Sequence, residues 1–148
     1  MPSFSAAVPL RLLQALCFVW AGLVAGISFL EAPVKFTAPS LTRSVGLDVG
    51  RHVFAALNKA EIGMAVLAIG LLIAARPEGW VRWILAAVWV SLLIQTLWLL
   101  PELREQARTI IAGGAGPDTN LVHLGYGVLE VVKVAALLAA GWLSTPPG

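Results

Sequence analysis

LVHLGYGVLEVVKVAALLAAGWL, residues 121–143, is the stretch on which the fold turns. Crossing the hydrocarbon of a bilayer takes roughly 20 mostly apolar residues. This run is long enough, yet it carries His123, Tyr126, Glu130 and Lys133. The four stand at offsets 0, 3, 7 and 10. At about 100° per residue they share a stripe of roughly 80° on one helical face. A charged side chain inside a spanning helix costs ~2.5–3.5 kcal/mol on insertion scales, so it persists where it has a partner or a task. A helix with one polar stripe and otherwise aliphatic sides hides the stripe against other helices.

Three further runs of similar character lie at about 8–30, 52–75 and 80–100. Each has its own polar or small stripe: Gln14, Ala21, Ala25 and Ser28 in the first, Arg51, Phe54, Asn58 and Glu61 in the second, Ser91, Gln95 and Trp98 in the third. Composition agrees. The 148 residues are 59% hydrophobic and 12% charged, against roughly 25% charged for a soluble domain. The expected fold is all-α: a four-helix transmembrane bundle with antiparallel hairpins, forming one domain over 1–148. A net charge of +2 without a basic block gives no sign of nucleic-acid binding. The single cysteine, Cys17, lies in an apolar run and reads as an inert thiol.

Prolines mark the expected joints at Pro33, Pro39, Pro77, Pro101 and Pro117, with Pro9 in a first turn. The LEAPVKFTAPSL segment, residues 30–41, is expected to break from the first helix as a lid, a short amphipathic helix or a re-entrant piece. The first helix reads as retained rather than cleaved, because its apolar run is long and Pro33 follows Ala32. Arg76 to Gly79 makes a tight link between the second and third helices. The 101–120 connection opens with an amphipathic ELREQARTII and closes with Asp118, Thr119 or Asn120 capping the fourth helix. Arg11, Arg76 and Arg82 on the terminal face are outnumbered by Lys35, Arg43, Arg51, Arg104 and Arg108 on the long-loop face. That balance leans the long loops towards the cytoplasm, and the expected location is a bacterial inner membrane. Trp80, Trp83, Trp98 and Trp142 stand near helix ends as interface anchors.

Depth concentrates the chemistry. Helices two and four start at the long-loop face, where helices one and three end. Glu61 and Glu130 therefore sit roughly 15 Å in from that face at 1.5 Å per residue. The residues expected to bind a ligand or a proton are Glu61, Glu130, Lys133, His123, Tyr126, Asn58, Arg51 and Gln95, with Glu31, Lys35 and His52 at the mouth. MAVLAIGLLIAA after Glu61 and VAALLAAG after Lys133 leave the opposite half dry. Lys59, on the other side of its helix from Glu61, reads as snorkelling.

Three functions fit these residues. The first is a non-enzymatic membrane protein whose polar half-cavity binds a small polar or amphipathic ligand, or conducts protons or a small solute. The second is a redox protein holding haem, quinone or a metal ion near His52 and His123, since imidazole is a common ligand; the sequence carries no paired His or Cys spacing for such a site. The third is a structural or assembly protein with an inert salt-bridged core. The bilayer is the expected partner in all three, and so narrow a bundle leaves a homodimer open. No nucleotide loop, nucleophile elbow or zinc-protease motif appears.

LEAPVKF, DVGRHVF-x-x-LNK-x-E and H-x-x-Y-x-x-x-E-x-x-K, spread over about residues 20–140, resemble a family of small bacterial integral membrane proteins of unassigned function. The resemblance implies four membrane helices and implies no chemistry.

Overall fold

A computed structural model describes residues 4–117 and 121–145. Four long helices account for almost all of them, with no strand among the described residues. Helix α1 runs Phe4–Ala25 and continues without a break through a π turn, Gly26–Glu31, a single α turn, Ala32–Val34, and a 3-10 turn, Lys35–Thr37. Helix α2 is Arg43–Ala75. Helix α3 is Gly79–Ile94, continued by a second π turn, Gln95–Leu99, into Leu100–Ile111. Helix α4 is Leu121–Leu143. All four are long and apolar enough to cross a membrane.

Two prolines expected to end helices do not. Pro33 and Pro101 each lie just beyond a π turn, inside a continuous helix. A helical proline lacks its N–H and crowds the carbonyl four residues back. Those carbonyls belong to Phe29 and Leu97, and each falls inside the π turn, where the wider loop carries it away from the ring. The register shift is explicit: the Ala32 N–H reaches Ile27 O, and the Leu100 N–H reaches Gln95 O. The segment after the first helix is therefore a helical continuation to Thr37, not a separate lid, and only residues 38–42 link it to α2. Pro9 is also interior, in the second turn of α1.

The remaining boundaries obey local chemistry. Thr42 Oγ1 accepts the Val45 N–H and caps α2. Arg76 stops it in the left-handed region (φ 46°, ψ 56°), directly before Pro77, which disfavours a right-handed helical residue in front of it. Gly113, at φ 86°, ends the α3 continuation by a tight turn that a side chain would strain. The expected caps Asp118, Thr119 and Asn120 lie outside the described residues.

Helix α1 packs against α2 and α4, α3 packs against α4, and the Leu100–Ile111 continuation packs against α2. One apolar core joins Leu13, Cys17 and Val24 of α1 to Leu57 and Ala68 of α2, Leu85 and Val88 of α3 and Leu137 of α4. Gly141 lets α4 approach α1 closely; a Cβ there would stand 3.1 Å from the Phe18 ring. Outward faces are aliphatic, with Val19, Val66, Ile73, Leu97 and Val131 exposed. Trp98 also points outward, 67% exposed, off the face shared by buried Ser91 and Gln95. The π turn that begins at Gln95 rotates the residues after it away from that face.

Candidate functional site

Between the core and the chain's long-connection end lies a closed set of charges. Glu61 of α2, Glu130 and Lys133 of α4 and Gln95 of α3 are all buried. The Lys133 ammonium donates to Glu61 Oε1 at 2.6 Å, Glu130 Oε1 at 2.8 Å and Gln95 Oε1 at 2.6 Å. An ammonium has three N–H donors, and all three are spent. Gln95 Nε2 donates to Glu130 Oε1 at 2.6 Å. The amide can face only this way: turned over, its NH2 would meet the ammonium, donor against donor.

Helix α1 closes both ends of the set. Trp20 Nε1 donates to Glu61 Oε1 at 2.9 Å, and Ser28 Oγ donates to Glu130 Oε2 at 2.6 Å. One bonded network thus joins side chains from all four helices. It fixes their mutual rotation, because each helix must hold its donors and acceptors against those of the others. One oxygen of the set is left over: Glu61 Oε2 is buried and has no hydrogen-bond partner among the described residues. Two carboxylates against one ammonium leave the set with one excess negative charge when both acids are ionised.

Beside the network opens a cavity of about 460 Å³. Glu130 and Ser28 of the network are among its lining residues. Its walls are apolar: Phe29 and Phe36 from the α1 continuation, Leu47 and Phe54 from α2, Leu100 and Leu103 from the α3 continuation. Phe54 and Tyr126 meet edge to face, with ring centroids 5.5 Å apart. Lys35, Arg51, Arg104 and His123 also line it, giving a greasy slot four basic side chains.

The basic residues are not equally committed. Arg51 holds Asp48 at 2.5 Å, three residues earlier on the same helix. Lys35 sits 3.4 Å from Glu31, near the faces of Phe36 and Phe54, at 5.6 and 5.9 Å from their centroids. Its Nζ lies 3.1 Å from where a Cβ on Gly50 would stand, so a glycine lets the lysine lie on the α2 backbone. Arg104 is half-buried and has no carboxylate within ion-pair distance among the described residues.

The structure thus gathers Glu61, Glu130, Lys133 and Gln95 into one network and sets Arg51, His123, Tyr126 and Lys35 around the adjoining cavity. It separates three others. Asn58 is buried but donates to Thr96 Oγ1 at 2.7 Å, away from the carboxylates. Glu31 serves the cavity only through Lys35. His52 is 68% exposed, its Nδ1 set 2.8 Å from Asp48 O, and it is not on the wall that carries His123. No group of three His, Cys, Asp or Glu residues comes together as a metal cluster among the described residues. Lys59 is exposed.

Sequence reasoning missed Trp20 and Arg104, and took Ser28 only as a small residue. Trp20 had a legible signal: an indole N–H in the middle of an apolar span needs a buried acceptor. Arg104 had none, because it belongs to the stretch read as a loop helix beyond the third span. Compared with protein-family models, with curated proteins and with solved structures, the chain matches none. The motif likeness stays a likeness, and the site rests on its own chemistry.

Proposed function

We propose that this is an integral membrane protein with its four helices in antiparallel order, and that its cavity binds an amphipathic ligand with an anionic head group. The observation that carries the reading is the composition of the cavity: aromatic and aliphatic walls meeting Arg104, Arg51, Lys35 and His123. Apolar pockets with a few convergent polar groups are the usual form of a ligand site. An alkyl chain would lie against Phe29, Phe54 and Leu103. A carboxylate or phosphate would meet Arg104, whose guanidinium offers a planar fork and has no carboxylate to leave among the described residues.

Helix lengths support this level in the membrane. At 1.5 Å per residue, α2 and the continuous α3 are each about 50 Å long, well beyond the ~30 Å of hydrocarbon. The surplus falls where the cavity is, near one interface, where an amphiphile's head and tail part company. Binding is favoured over conduction. The other buried polar side chains include Ser91 and Ser144, and each hydroxyl is spent on a carbonyl of its own helix, Ala87 O and Ala140 O. They offer no continuation of the network towards the far side.

The test uses purified protein in a non-ionic detergent, titrated with a fluorescent long-chain fatty acid and with its methyl ester. Saturable binding of the acid, weakened for the ester and weakened by Arg104→Ala, is the expected result. Equal binding of acid and ester, or no saturable binding, would overturn the reading.

A further inference from the structure

We infer that the buried network is a binding site for one proton, and that Glu61 Oε2 is the atom that holds it. The inference is independent of any ligand in the cavity. Its basis is the balance of charges and hydrogen bonds where both are closed to solvent.

Each carboxylate can be traced atom by atom. Glu130 Oε1 accepts from Gln95 Nε2 and Lys133 Nζ, and Glu130 Oε2 accepts from Ser28 Oγ. Both of its oxygens are met by donors, as an ionised group requires. Glu61 Oε1 accepts from Trp20 Nε1 and Lys133 Nζ, while Oε2 meets nothing. The charged groups facing Glu61 are Lys133 and Glu130 of α4. The side chains that bond into the set from α1 and α3 are neutral, Trp20, Ser28 and Gln95. Arg51, on the same helix as Glu61, is paired with Asp48.

With both acids ionised, the set buries an excess charge on an oxygen without a donor. An uncompensated charge in an apolar interior is far more costly than a neutral polar group lacking one hydrogen bond. A proton on Glu61 Oε2 cancels the excess, leaves Oε1 as the carbonyl that accepts from Trp20 and Lys133, and disturbs none of the six bonds. A proton on Glu130 Oε1 would face the Gln95 and Lys133 donors, and one on Oε2 would require the Ser28 hydroxyl to turn from donor to acceptor, whereas on Glu61 Oε2 no existing bond has to change. The exchange is a simple one: one proton enters from water and the charge of the set goes from minus one to zero. Of the set, Glu130 and its partner Ser28 line the cavity, so the proton enters from the cavity side.

Infrared spectroscopy of the full chain in nanodiscs tests both the proton and its position. At neutral pH the wild type should show one protonated-carboxyl C=O band, distinct from the ionised carboxylate bands. Glu61→Gln should remove it, since one carboxylate then balances one ammonium. Trp20→Phe should shift the band, because it deletes the hydrogen bond to the Glu61 carbonyl oxygen, and Ser28→Ala should leave it in place. No protonated-carboxyl band in the wild type overturns the proton. A band that moves with Ser28→Ala but not with Trp20→Phe overturns its assignment to Glu61 and moves it to Glu130. Circular dichroism of each variant confirms that the bundle is intact, and Glu61→Asp, which keeps the acid if Glu61→Gln does not fold, should retain a band at a displaced frequency.

Discussion

Replacing Lys133 with methionine removes the one cation on which the interior depends. Methionine nearly matches the lysine stem in volume, so the packing loss is small and the electrostatic loss dominates. Three bonds vanish together, to Glu61, Glu130 and Gln95. Glu61 then keeps Trp20 as its sole donor, and Glu130 keeps Gln95 and Ser28. Breaking a buried ion pair by deleting one partner costs about 3–5 kcal/mol, because the other charge stays buried without compensation. Here the deletion strands the Glu130 charge and also takes a donor from Glu61 and from Gln95, so the upper end of that range is expected. Adding Glu61→Gln and Glu130→Gln to Lys133→Met should recover most of the loss, since no charge then remains to be balanced. Equilibrium unfolding in mixed micelles, monitored by circular dichroism, measures each step. A loss below about 1 kcal/mol for Lys133→Met, the level of an exposed pair, or no recovery in the triple variant, would refute the account of a charge-balanced interior.

The same geometry sets the outcome of other substitutions. Arg104→Ala should weaken binding of an anionic amphiphile by roughly 10- to 100-fold, the worth of a charge-assisted hydrogen bond of about 1.5–3 kcal/mol. Arg51→Ala should do less, because Arg51 is already held by Asp48; fluorescence titration compares the two. Asn58→Leu should cost only about 0.6–1.7 kcal/mol in the same unfolding assay, the range measured for neutral interhelical hydrogen bonds in a membrane. Gly46→Ala would bring a Cβ to 2.4 Å from Phe36 Cε1, so the Phe36 ring must swing from its place. The expected result is faster amide exchange over residues 34–42 and altered ligand affinity at little cost in global stability, because Phe36 is 48% exposed and free to move.

The polar stripes were legible because they rest on two robust regularities, the period of a helix and the cost of burying charge. His123, Tyr126, Glu130 and Lys133 share a face by arithmetic alone, and Arg51, Phe54, Asn58 and Glu61 do too. Periodicity does not supply partner choice. Asn58 and Glu61 lie on one stripe, yet one bonds Thr96 and the other Lys133; the difference depends on how α3 is rotated at its π turn. His52 and His123 both read as helix starts, but α2 begins at Arg43 and carries His52 nine residues in, on a different face from the cavity wall that holds His123. Trp20 was hidden among tryptophans that have lipid-facing explanations.

The deeper difference between sequence and structure lies in the prolines. Reading Pro33 and Pro101 as stops ends two helices at the level of the charge network and leaves the space above it to loops. The chain instead answers each proline with a π turn, and the helix continues. Every α1 residue that lines the cavity, from Ser28 to Phe36, lies in or beyond the first π turn, and every α3 residue, from Leu100 to Ala107, lies beyond the second. The same turns carry Ser28 and Gln95, the two neutral donors to Glu130. A π turn adds a residue to the helix and rotates every later one. Helices α1 and α3 each pack against α4, and a turn in each at this level sets the residues that follow it along the cavity. The network sits at this level, met by the donors that the turns carry, and the cavity lies beside it, lined by the residues in and beyond the turns. Helices kept in strict α register through 26–31 and 95–99 would turn Phe29, Phe36, Leu103 and Arg104 to other azimuths. The bundle would then have neither the slot nor the arginine facing into it.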